Sequence, residues 1–485
     1  MKRFIVLAPS LLAILPSLFI YVINKEVAKI SVALFLLALF TIGLIIFFIF
    51  LVIQFIVKDY SKATVLATLL VIAIFYYGHF FQIIQPVHVW NIVSSRHRFT
   101  VPIWGFTFII AGYFVLLTKK NLKFAYNIIG IFTLVFFVTS LIFHAMYIVK
   151  NNQQKEQYDV IADAHTQGPS LNNLNLMFGY LPDIYYIIPD AYANSEVLEE
   201  FFEYNNNEFV SYLENKGFVI VEDSTSAYPN TLLSLPTTLN MEYADILDPN
   251  LLHSSLAVRR SLLEYNKSVS LLRSLGYAYI AISSDNTTFS GEAADHRFNP
   301  DLLFRLLIRP TIFDPFSQRF RNRVLGAFDA FNGASRIAGP KFVLAHIISP
   351  HDPYVFGPDG ENIGIHFHDD AERSLNSMRL YLGQLQFTSK KLEGAVEVIL
   401  KNSSRPPIII IQSDHGFFLP DSYDLQTIKD ARFKNFSAYL IPKVIGSVSD
   451  SIAFPKNNIN TFRFIFNQYF GAEFDMMENK TIWAQ

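Results

Sequence analysis

The sequence places side chains of catalytic type where predicted strands end and where one predicted helix begins. Asp190 follows a short β-rich run, and Asp414 and His415 follow the apolar run IIIIQS. His351 comes after the run FVLAHIIS, and Thr231 stands at the start of a predicted helix. Because ligands bind beyond the carboxyl ends of parallel strands, these side chains could converge on one edge of a sheet. They offer carboxylates, imidazole and a hydroxyl group to one site.

This combination of side chains suits metal-assisted nucleophilic catalysis. Carboxylate oxygens together with imidazole nitrogens favour Zn²⁺ or Mn²⁺. The hydroxyl of Thr231 is almost never ionised near neutral pH, and coordination to a cation would lower the cost of ionising it. The N-terminus of a helix carries a partial positive charge and free N–H groups, which suit a phosphate or sulfate oxyanion.

Each of these residues also has a purely structural interpretation, which the residues alone leave open. Thr231 is well placed to be the N-cap of its helix. Asp190 could end its strand in an Asx turn, and Asp414-His415-Gly416 could form a tight turn in which Gly416 takes a positive φ. His351 lies in a Pro-flanked loop, where a surface histidine without a role is common.

Strands and helices alternate in the part of the sequence that carries these residues. Runs rich in Ile, Val and aromatic residues predict strands at 183–189, 218–221, 277–283, 342–348 and 408–412. Apolar residues at helical spacing predict helices at 195–216 and 232–241 and within 373–401. Such alternation predicts an α/β domain with a mostly parallel central sheet that is covered on both faces.

The residues before Lys150 hold nearly all of the excess apolarity of a chain that is 51% hydrophobic. A helix needs about 20 apolar residues to cross a bilayer. Five stretches approach or exceed this length, at 4–23, 30–57, 63–84, 101–118 and 124–149. They predict an α-helical transmembrane bundle of five spans. A cleaved signal peptide is an alternative for the first stretch, but no small-residue cleavage site follows it, and four more spans do.

The polar segment 150–180 predicts a linker between this transmembrane domain, 1–149, and a catalytic domain at 181–485. Basic residues in the short loops favour, by a narrow margin, a cytoplasmic N-terminus. On that side we place Lys2, Arg3, Lys58, Lys62, Lys119, Lys120 and Lys123. An odd number of spans then places the catalytic domain outside the cytoplasm. The layout is typical of a multi-pass protein of the bacterial cell (inner) membrane.

Charge and cysteine content exclude several classes of protein. The net charge is −2 and no basic run is present, so nothing indicates a nucleic acid partner. The sequence contains no cysteine. Disulfide bonds, thiolate zinc sites and cysteine nucleophiles are therefore excluded.

Several motifs resemble the sulfatase-like branch of the alkaline phosphatase superfamily. They are PDIYYIIPDAYA, AYPNTLLSLPTTLNMEY, AHIISPHDPYVFGPDG, YLGQLQFTSKKL and PPIIIIQSDHG, in this order, and the resemblance covers residues 181–467. Five spans followed by such a domain look most like lipoteichoic acid synthases and related phosphoglycerol transferases. Phosphoethanolamine transferases that modify lipid A have a similar layout. The resemblance implies an alkaline-phosphatase-like fold.

The resemblance also implies the roles of individual residues. In that group a carboxylate, a threonine nucleophile and an Asp-His pair bind one divalent metal ion, Mn²⁺ or Zn²⁺. Carried over, these residues are Asp190, Thr231, Asp414 and His415. His351 is expected to contact the substrate phosphate, and His346, which lies inside a predicted strand, is expected to be structural. A second metal set from Asp295, His296, Asp352 and His366 is not convincing.

The implied activity is transfer of a phospho-headgroup from a membrane phospholipid to a glycan or lipid acceptor through a phosphothreonine intermediate. A sulfatase is disfavoured because Thr231 stands where sulfatases carry Cys or Ser in a C/S-x-P-x-R motif. Lipoteichoic acid synthases usually begin the metal set with Glu, so Asp190 weakens the transfer of their particular substrate. Alternatives are a phosphodiesterase or phosphatase of the same superfamily and a catalytically silent scaffold. A transporter has little support, because the five stretches contain no internal acidic or basic residue.

Overall fold

The structure, a computed structural model, describes residues 7–23, 32–84, 97–139, 142, 146, 180–248, 251–254, 256–285, 289, 291, 293–298, 316–366, 375–442 and 453–484. These residues form two compact units, an N-terminal group of helices and an α/β domain, which are described separately. Most of the predicted linker, 150–179, lies outside the described residues, as do parts of the first, second and fifth predicted spans.

The N-terminal unit consists of apolar helices. They are α1 (Ala8–Ile23), α2 (Val32–Val57), α3 (Tyr60–Phe75), α4 (Tyr77–Ile84), α5 (His97–Leu117) and α6 (Lys123–Thr139). Asp59 caps α3, because its carboxylate accepts hydrogen bonds from the backbone N–H groups of Ser61 and Lys62. The third predicted span is divided at Tyr76, between α3 and α4.

Two helices among the described residues are long and apolar enough to cross a membrane, over Phe35–Val57 and Thr100–Leu117. Only 17% and 6% of these segments are buried inside the protein, and aromatic side chains such as Phe55 are exposed to 82%. Shorter apolar helices, Ala8–Ser17, Tyr60–Phe75 and Lys123–Thr139, lie at the other predicted spans. The bundle of five spans stays a prediction.

The α/β domain contains nine strands in the described residues. They are β1 (Ile184–Pro189), β2 (Val219–Ile220), β3 (Ala278–Ser283), β4 (His296–Phe298), β5 (Lys341–Ile347), β6 (Tyr354–Phe356), β7 (Asn362–His366), β8 (Ile408–Gln412) and β9 (Ser437–Leu440). Seven of them form one sheet in the order β2-β9-β8-β1-β5-β3-β4, and β6 pairs with β7 in a separate hairpin.

Helices fill the connections between the strands. They are α7 (Ser195–Phe202), α8 (Asn207–Asn215), α9 (Thr231–Asn240), α10 (Ala244–Leu247), α11 (Leu256–Glu264), α12 (Lys267–Ser274), α13 (Phe316–Ala334), α14 (Leu375–Asn402), α15 (Leu425–Phe433) and α16 (Thr461–Phe470). The sequence predicted one helix over 195–216. The structure has two, because the chain turns at Glu203, which takes the left-handed conformation (φ 50°).

The prediction of a mostly parallel sheet is confirmed. Strand β1 pairs in parallel with β5 and β8, and β3 pairs in parallel with β4 and β5. Only β9 runs opposite to the other strands of the sheet, because it pairs antiparallel with β8 on one side and with the two-residue strand β2 on the other. The carboxyl ends of β1, β5 and β8 therefore lie side by side at one edge, and Asp190, Ile347 and Ser413 lie at or just beyond those ends.

Apolar side chains cover both faces of this sheet, which explains its near-continuous hydrophobic strands. Successive residues of β1 point to opposite faces. Tyr185 and Ile187 belong to the core on one face, and Ile184, Tyr186 and Ile188 belong to the core on the other face. The whole of β1 is buried. The strand ends are thereby held in a rigid frame, and only the polar residues that follow them reach the site.

Candidate active site

Thr231 is the first residue of α9, but it does not cap this helix. Asn230 is the N-cap, and its side chain accepts a hydrogen bond from the backbone N–H of Leu233 at 3.1 Å. The interpretation of Thr231 as an N-cap is therefore wrong. Its hydroxyl is half-buried and lies 3.3 Å from Nε2 of His415. The helix start thus presents a hydroxyl group to the site while a neighbouring residue satisfies the helix end.

Asp414 and His415 follow β8 and are both buried. Oδ1 of Asp414 accepts a hydrogen bond from the backbone N–H of Ala191 at 3.1 Å, which ties this motif to the end of β1. The backbone carbonyl of Asp414 accepts a hydrogen bond from Ser234 Oγ in α9 at 2.6 Å. Two segments far apart in the sequence therefore fix the position of this carboxylate.

Gly416 completes the motif for a reason other than the predicted positive φ, which it does not have. A Cβ atom at this position would collide with the backbone carbonyls of Ala431 and Lys434 at the end of α15. The N–H of Gly416 donates to the carbonyl of Arg432 at 2.7 Å. The glycine thus permits a close approach of two backbone segments.

Asp190 lies just after β1 and is buried to 4% exposure. Its carboxylate faces imidazole rings rather than closing an Asx turn. Oδ2 lies 3.3 Å from Nε2 of His346, and Oδ1 lies 3.6 Å from Nε2 of His415. Burial alone would raise the pKa of Asp190, but the imidazoles of His351, His346 and His415 outweigh it and lower that pKa below its usual range.

His346 was expected to be structural, yet it lies in the same group of side chains. It is the next-to-last residue of β5, and it pairs in register with Ile188 of β1 and Ser283 of β3. The ring is fully buried, and neither nitrogen makes a hydrogen bond. The signal that could have found it is its position near the carboxyl end of a central strand, two residues before the predicted end at 348.

The described residues contain one group that could hold a metal ion, formed by Asp190, His346 and Asp414. One ligand atom from each lies within 4.8 Å of the others. Asp190 Oδ1, Asp414 Oδ2 and both nitrogens of His346 are buried without a hydrogen bond. Buried polar atoms without partners are rare and call for a ligand. Two carboxylates with imidazole fit Zn²⁺ or Mn²⁺.

His415 Nε2 faces this group and Thr231. It lies 3.3 Å from Asp414 Oδ2 and 3.6 Å from Asp190 Oδ1. Its other nitrogen, Nδ1, lies 3.1 Å from the carbonyl of Gly416, which can only accept a hydrogen bond. Nδ1 is therefore the protonated nitrogen, and the lone pair of Nε2 points into the site. Burial, together with the nearby charge of Arg432, lowers the pKa of His415 to about 4.

His351 lies in the loop after β5, and its side chain is one-third exposed. Its backbone N–H donates to the carbonyl of Asp190 at 3.0 Å, and its ring centroid is 6.2 Å from that of His415. Nδ1 contacts both the carbonyl and the carboxylate of Asp352, at 2.8 and 2.9 Å. Burial opposes the charge of the ring, but Asp190 and Asp352 outweigh it and raise the pKa of His351 to about 10. A partly exposed imidazolium thus borders the site.

Arg432, at the end of α15, is a site residue that the sequence analysis missed. Nε donates to the carbonyl of Pro229 at 2.6 Å, and Nη1 donates to the carbonyl of Gly416 at 3.0 Å. Nη2 lies 3.2 Å from Nε2 of His415. No local sequence signal marks this arginine, because its role depends on how a late helix packs against two distant turns.

Three of the residues considered for a second metal are engaged elsewhere. Asp295 pairs with Arg273 at 2.8 Å, and His366 contacts the carbonyl of Ile363. The carboxylate of Asp352 lies 2.9 Å from Nδ1 of His351. Among the described residues no second metal group is formed.

The fold and the site define an α/β domain with a hydroxyl group at a helix N-terminus, a buried carboxylate–imidazole group beside it, and two cationic side chains at its border. Such an arrangement can polarise the hydroxyl group and stabilise a tetrahedral oxyanion. It is suited to group transfer at phosphorus or sulfur.

Comparison with solved structures finds similarity at low sequence identity. The C-terminal periplasmic domain of EptC from Escherichia coli is 11% identical, with a TM-score of 0.43, and the match covers 61% of this chain and 85% of that domain. The integral membrane lipooligosaccharide phosphoethanolamine transferase A from Neisseria meningitidis is 10% identical, with a TM-score of 0.40 and 95% of both chains covered. A 2-O GAG sulfatase is 14% identical, with a TM-score of 0.42, and the match covers 62% of this chain and 73% of that one.

No family model matches the sequence, and no curated protein matches it. Identities and TM-scores this low do not assign the chain to one of these families. The functional argument therefore rests on the residues of the site.

Proposed function

We propose that this chain is a membrane-anchored enzyme that transfers a phospho-headgroup from a membrane phospholipid to a cell-envelope glycan or lipid, through a phosphothreonine at Thr231. The proposed organisation is a transmembrane domain at 1–149, a linker at 150–180 and a catalytic domain at 181–485 outside the cytoplasm. One divalent metal ion, Mn²⁺ or Zn²⁺, is bound by Asp190, Asp414 and His415 with the hydroxyl of Thr231. We add His346 to this set of ligands.

The observation that carries the proposal is the position of the Thr231 hydroxyl. It is released from capping by Asn230, and it lies 3.3 Å from His415 Nε2, beside the buried carboxylates of Asp190 and Asp414. A threonine that served only the helix would point at backbone N–H groups. A hydroxyl group at a metal-ligand set is the arrangement that a nucleophile needs.

The first half of the reaction is attack of Thr231 Oγ on phosphorus. The bond from Oγ to phosphorus forms while the bond from phosphorus to the lipid oxygen breaks, so a phosphothreonine diester and a free lipid alcohol result. Thr231 loses its hydroxyl proton, and the departing lipid oxygen gains one. A bound divalent metal would supply Lewis-acid stabilisation and favour the ionised hydroxyl. The start of α9 offers its N–H groups and partial positive charge to the phosphoryl oxygens.

The second half transfers the headgroup to a hydroxyl group of the acceptor. The acceptor oxygen forms the new bond to phosphorus, and the bond to Thr231 breaks as its oxygen regains a proton. His351 is held in place through Asp352 and remains cationic near neutral pH, so it suits contact with a nonbridging phosphoryl oxygen in both steps.

The apolar N-terminal helices fit a lipid donor. Helices α2 and α5 expose most of their apolar surface, which is unfavourable in water and favourable in a bilayer. A catalytic domain anchored to the same bilayer as its donor lipid meets that lipid at a raised effective concentration.

The test is detection of the covalent intermediate. Wild type and Thr231→Ala, purified in detergent with Mn²⁺ or Zn²⁺, are incubated with headgroup-labelled phospholipids, and the peptide containing Thr231 is analysed by mass spectrometry. We expect a metal-dependent adduct whose mass identifies the headgroup, and no adduct in Thr231→Ala. Thr237→Ala, in the same helix but bonded to backbone carbonyls, is the matched control and should keep the adduct.

Lipid turnover that persists in Thr231→Ala would overturn the mechanism. An adduct that passes only to water, with every glycan and lipid acceptor tested, would replace transfer by hydrolysis. The absence of both adduct and turnover in metal-loaded wild type, across the phospholipid classes of the envelope, would favour a silent scaffold.

A further inference from the structure

Arg432 connects three parts of the site through one guanidinium group. Nε holds the carbonyl of Pro229, two residues before the nucleophile, and Nη1 holds the carbonyl of Gly416. Both acceptors are backbone oxygens, so these two contacts fix the plane of the guanidinium. The third nitrogen, Nη2, lies 3.2 Å from His415 Nε2.

The contact between Nη2 and His415 conflicts with the proposed role of His415 as a metal ligand. Nδ1 of His415 carries the ring proton, because it faces the carbonyl of Gly416. The ring therefore has one lone pair, on Nε2, and this lone pair cannot accept from Arg432 and bind a metal at the same time. A guanidinium cation beside a divalent cation is also repelled unless an anion lies between them.

We infer that Nη2 of Arg432 is a hydrogen-bond donor with two alternative acceptors. Without metal it donates to His415 Nε2. When a divalent metal ion is coordinated by His415 Nε2, Nη2 donates instead to a tetrahedral oxyanion at Thr231. This inference rests on the proposed function and deepens it, since it names an anionic phosphoryl group as the ligand that the second arrangement needs. Nε and Nη1 keep their carbonyl acceptors in both arrangements, so only the partner of Nη2 changes.

The geometry places the second acceptor within reach. Thr231 Oγ1 and Arg432 Nη2 both lie within 3.3 Å of the same nitrogen, His415 Nε2. An oxygen of a phosphoryl group on Oγ1 would therefore come within reach of Nη2, and an arginine is the side chain best suited to such an oxyanion. The arginine would oppose metal binding in the absence of an anion and favour anion binding once the metal is present.

The test measures the two affinities separately, on the full-length chain in detergent. Zn²⁺ affinity is measured by competition with a chelating dye, without phosphate. The affinity of the Zn²⁺-loaded protein for inorganic phosphate is measured by calorimetry. For Arg432→Met we expect Zn²⁺ binding about tenfold tighter and phosphate binding at least about tenfold weaker, the scale of losses around metal sites. Arg432→Lys keeps the charge but not the planar fork, so we expect Zn²⁺ affinity near that of wild type and an intermediate loss of phosphate affinity.

Arg463 is the matched control. It also donates to two backbone carbonyls, those of Met241 and Asp475, but Met241 lies at the opposite end of α9 from Thr231. Arg463→Met should lower the unfolding temperature as Arg432→Met does, and should leave both affinities unchanged.

Opposite changes in the two affinities are the signature of the inference. If Arg432→Met weakened Zn²⁺ and phosphate binding together, or left phosphate binding unchanged, Arg432 would only brace two turns and the inference would be wrong. Neither measurement needs turnover. If wild type forms the adduct on Thr231 but Arg432→Met leaves both affinities unchanged, the inference is wrong and the proposed transfer stands. If Arg432→Met changes the two affinities in opposite directions but wild type forms no adduct, the proposed transfer is wrong and the inference stands.

Discussion

Nε2 of His346 lies 3.3 Å from Oδ2 of Asp190 in the interior of the α/β domain, and neither nitrogen of this imidazole makes a hydrogen bond. Leaving a buried polar group unsatisfied costs about 1–3 kcal/mol. A ring kept for packing alone would be better replaced by an apolar side chain of similar volume. The position of His346 is explained if the ring serves a metal ion together with Asp190.

Replacement of His346 should therefore weaken metal binding. For His346→Ala we expect about a 10–100-fold loss of Zn²⁺ or Mn²⁺ affinity, measured by competition with a chelating dye. His366→Ala is the control, because His366 is exposed on β7 and contacts only the carbonyl of Ile363 among the described partners. If His346→Ala left the metal affinity unchanged, His346 would have the structural role that the sequence analysis predicted.

The cap of α9 should matter for activity as well as for stability. Asn230→Ala removes the acceptor of the Leu233 N–H and should lower the free energy of unfolding by about 1 kcal/mol. The start of the helix would fray, and Thr231 would lose its fixed position. Asn266→Ala removes an equivalent cap, on the Val269 N–H of α12. Both variants should show a lower unfolding temperature, but only Asn230→Ala should lose adduct formation. If both variants formed the adduct equally well, the cap at Asn230 would have no role in positioning Thr231.

A side chain at position 416 should disrupt the site. In Gly416→Ala the new Cβ meets backbone carbonyls of Ala431 and Lys434, which cannot rotate away as a side chain would. We expect about 1–3 kcal/mol of destabilisation, from thermal or denaturant unfolding, with reduced metal affinity. Gly394→Ala, in helix α14 with open space at its Cβ position, should be neutral or slightly stabilising. A Gly416→Ala protein as stable as wild type would contradict the close approach described here.

The stability of the chelator-treated protein should have a maximum near pH 6.5. The pKa of His415 is lowered from 6.5 to about 4 in the folded protein. As the pH falls from 6.5 to about 4, His415 is protonated in the unfolded chain but not in the folded protein, so the free energy of unfolding decreases. Native His351 has its pKa raised to about 10, so its contribution is present below pH 6.5 and is lost as the pH rises toward 10. His415→Asn should flatten the acid side of the profile of unfolding temperature, and His351→Gln the alkaline side. Unaltered profiles would show that these two groups do not carry the pH dependence.

Residues at strand ends could be predicted from the sequence because two rules sufficed for them. Asp190 and Asp414 follow buried apolar runs, and a parallel sheet brings such ends to one edge. Thr231 was predicted from its place at the start of a helix, but the sequence did not show that it leaves capping to its neighbour. Asn230 and Thr231 are both good N-caps, and only the backbone conformation decides between them.

The sequence analysis did not assign His346 and Arg432 to the site, for different reasons. His346 lies inside a strand, where alternation alone does not tell a ligand from a packed ring. Arg432 lies at the end of a late helix, and its contacts to Pro229 and Gly416 exist only once three segments have packed together. Long-range packing, rather than a local pattern, decides what both residues do.

The site is assembled from segments that are spread along almost the whole α/β domain, from Asp190 at the end of β1 to Arg432 at the end of α15. The ribosome makes these segments one after another, with β1 first and α15 late. A chain stopped or cut before α15 has Thr231 but lacks Arg432, and one stopped before β8 lacks Asp414 and His415 as well. Under the proposed function, activity would therefore require a chain made at least through α15, so that a partly exported chain could not consume the bilayer through which it is passing.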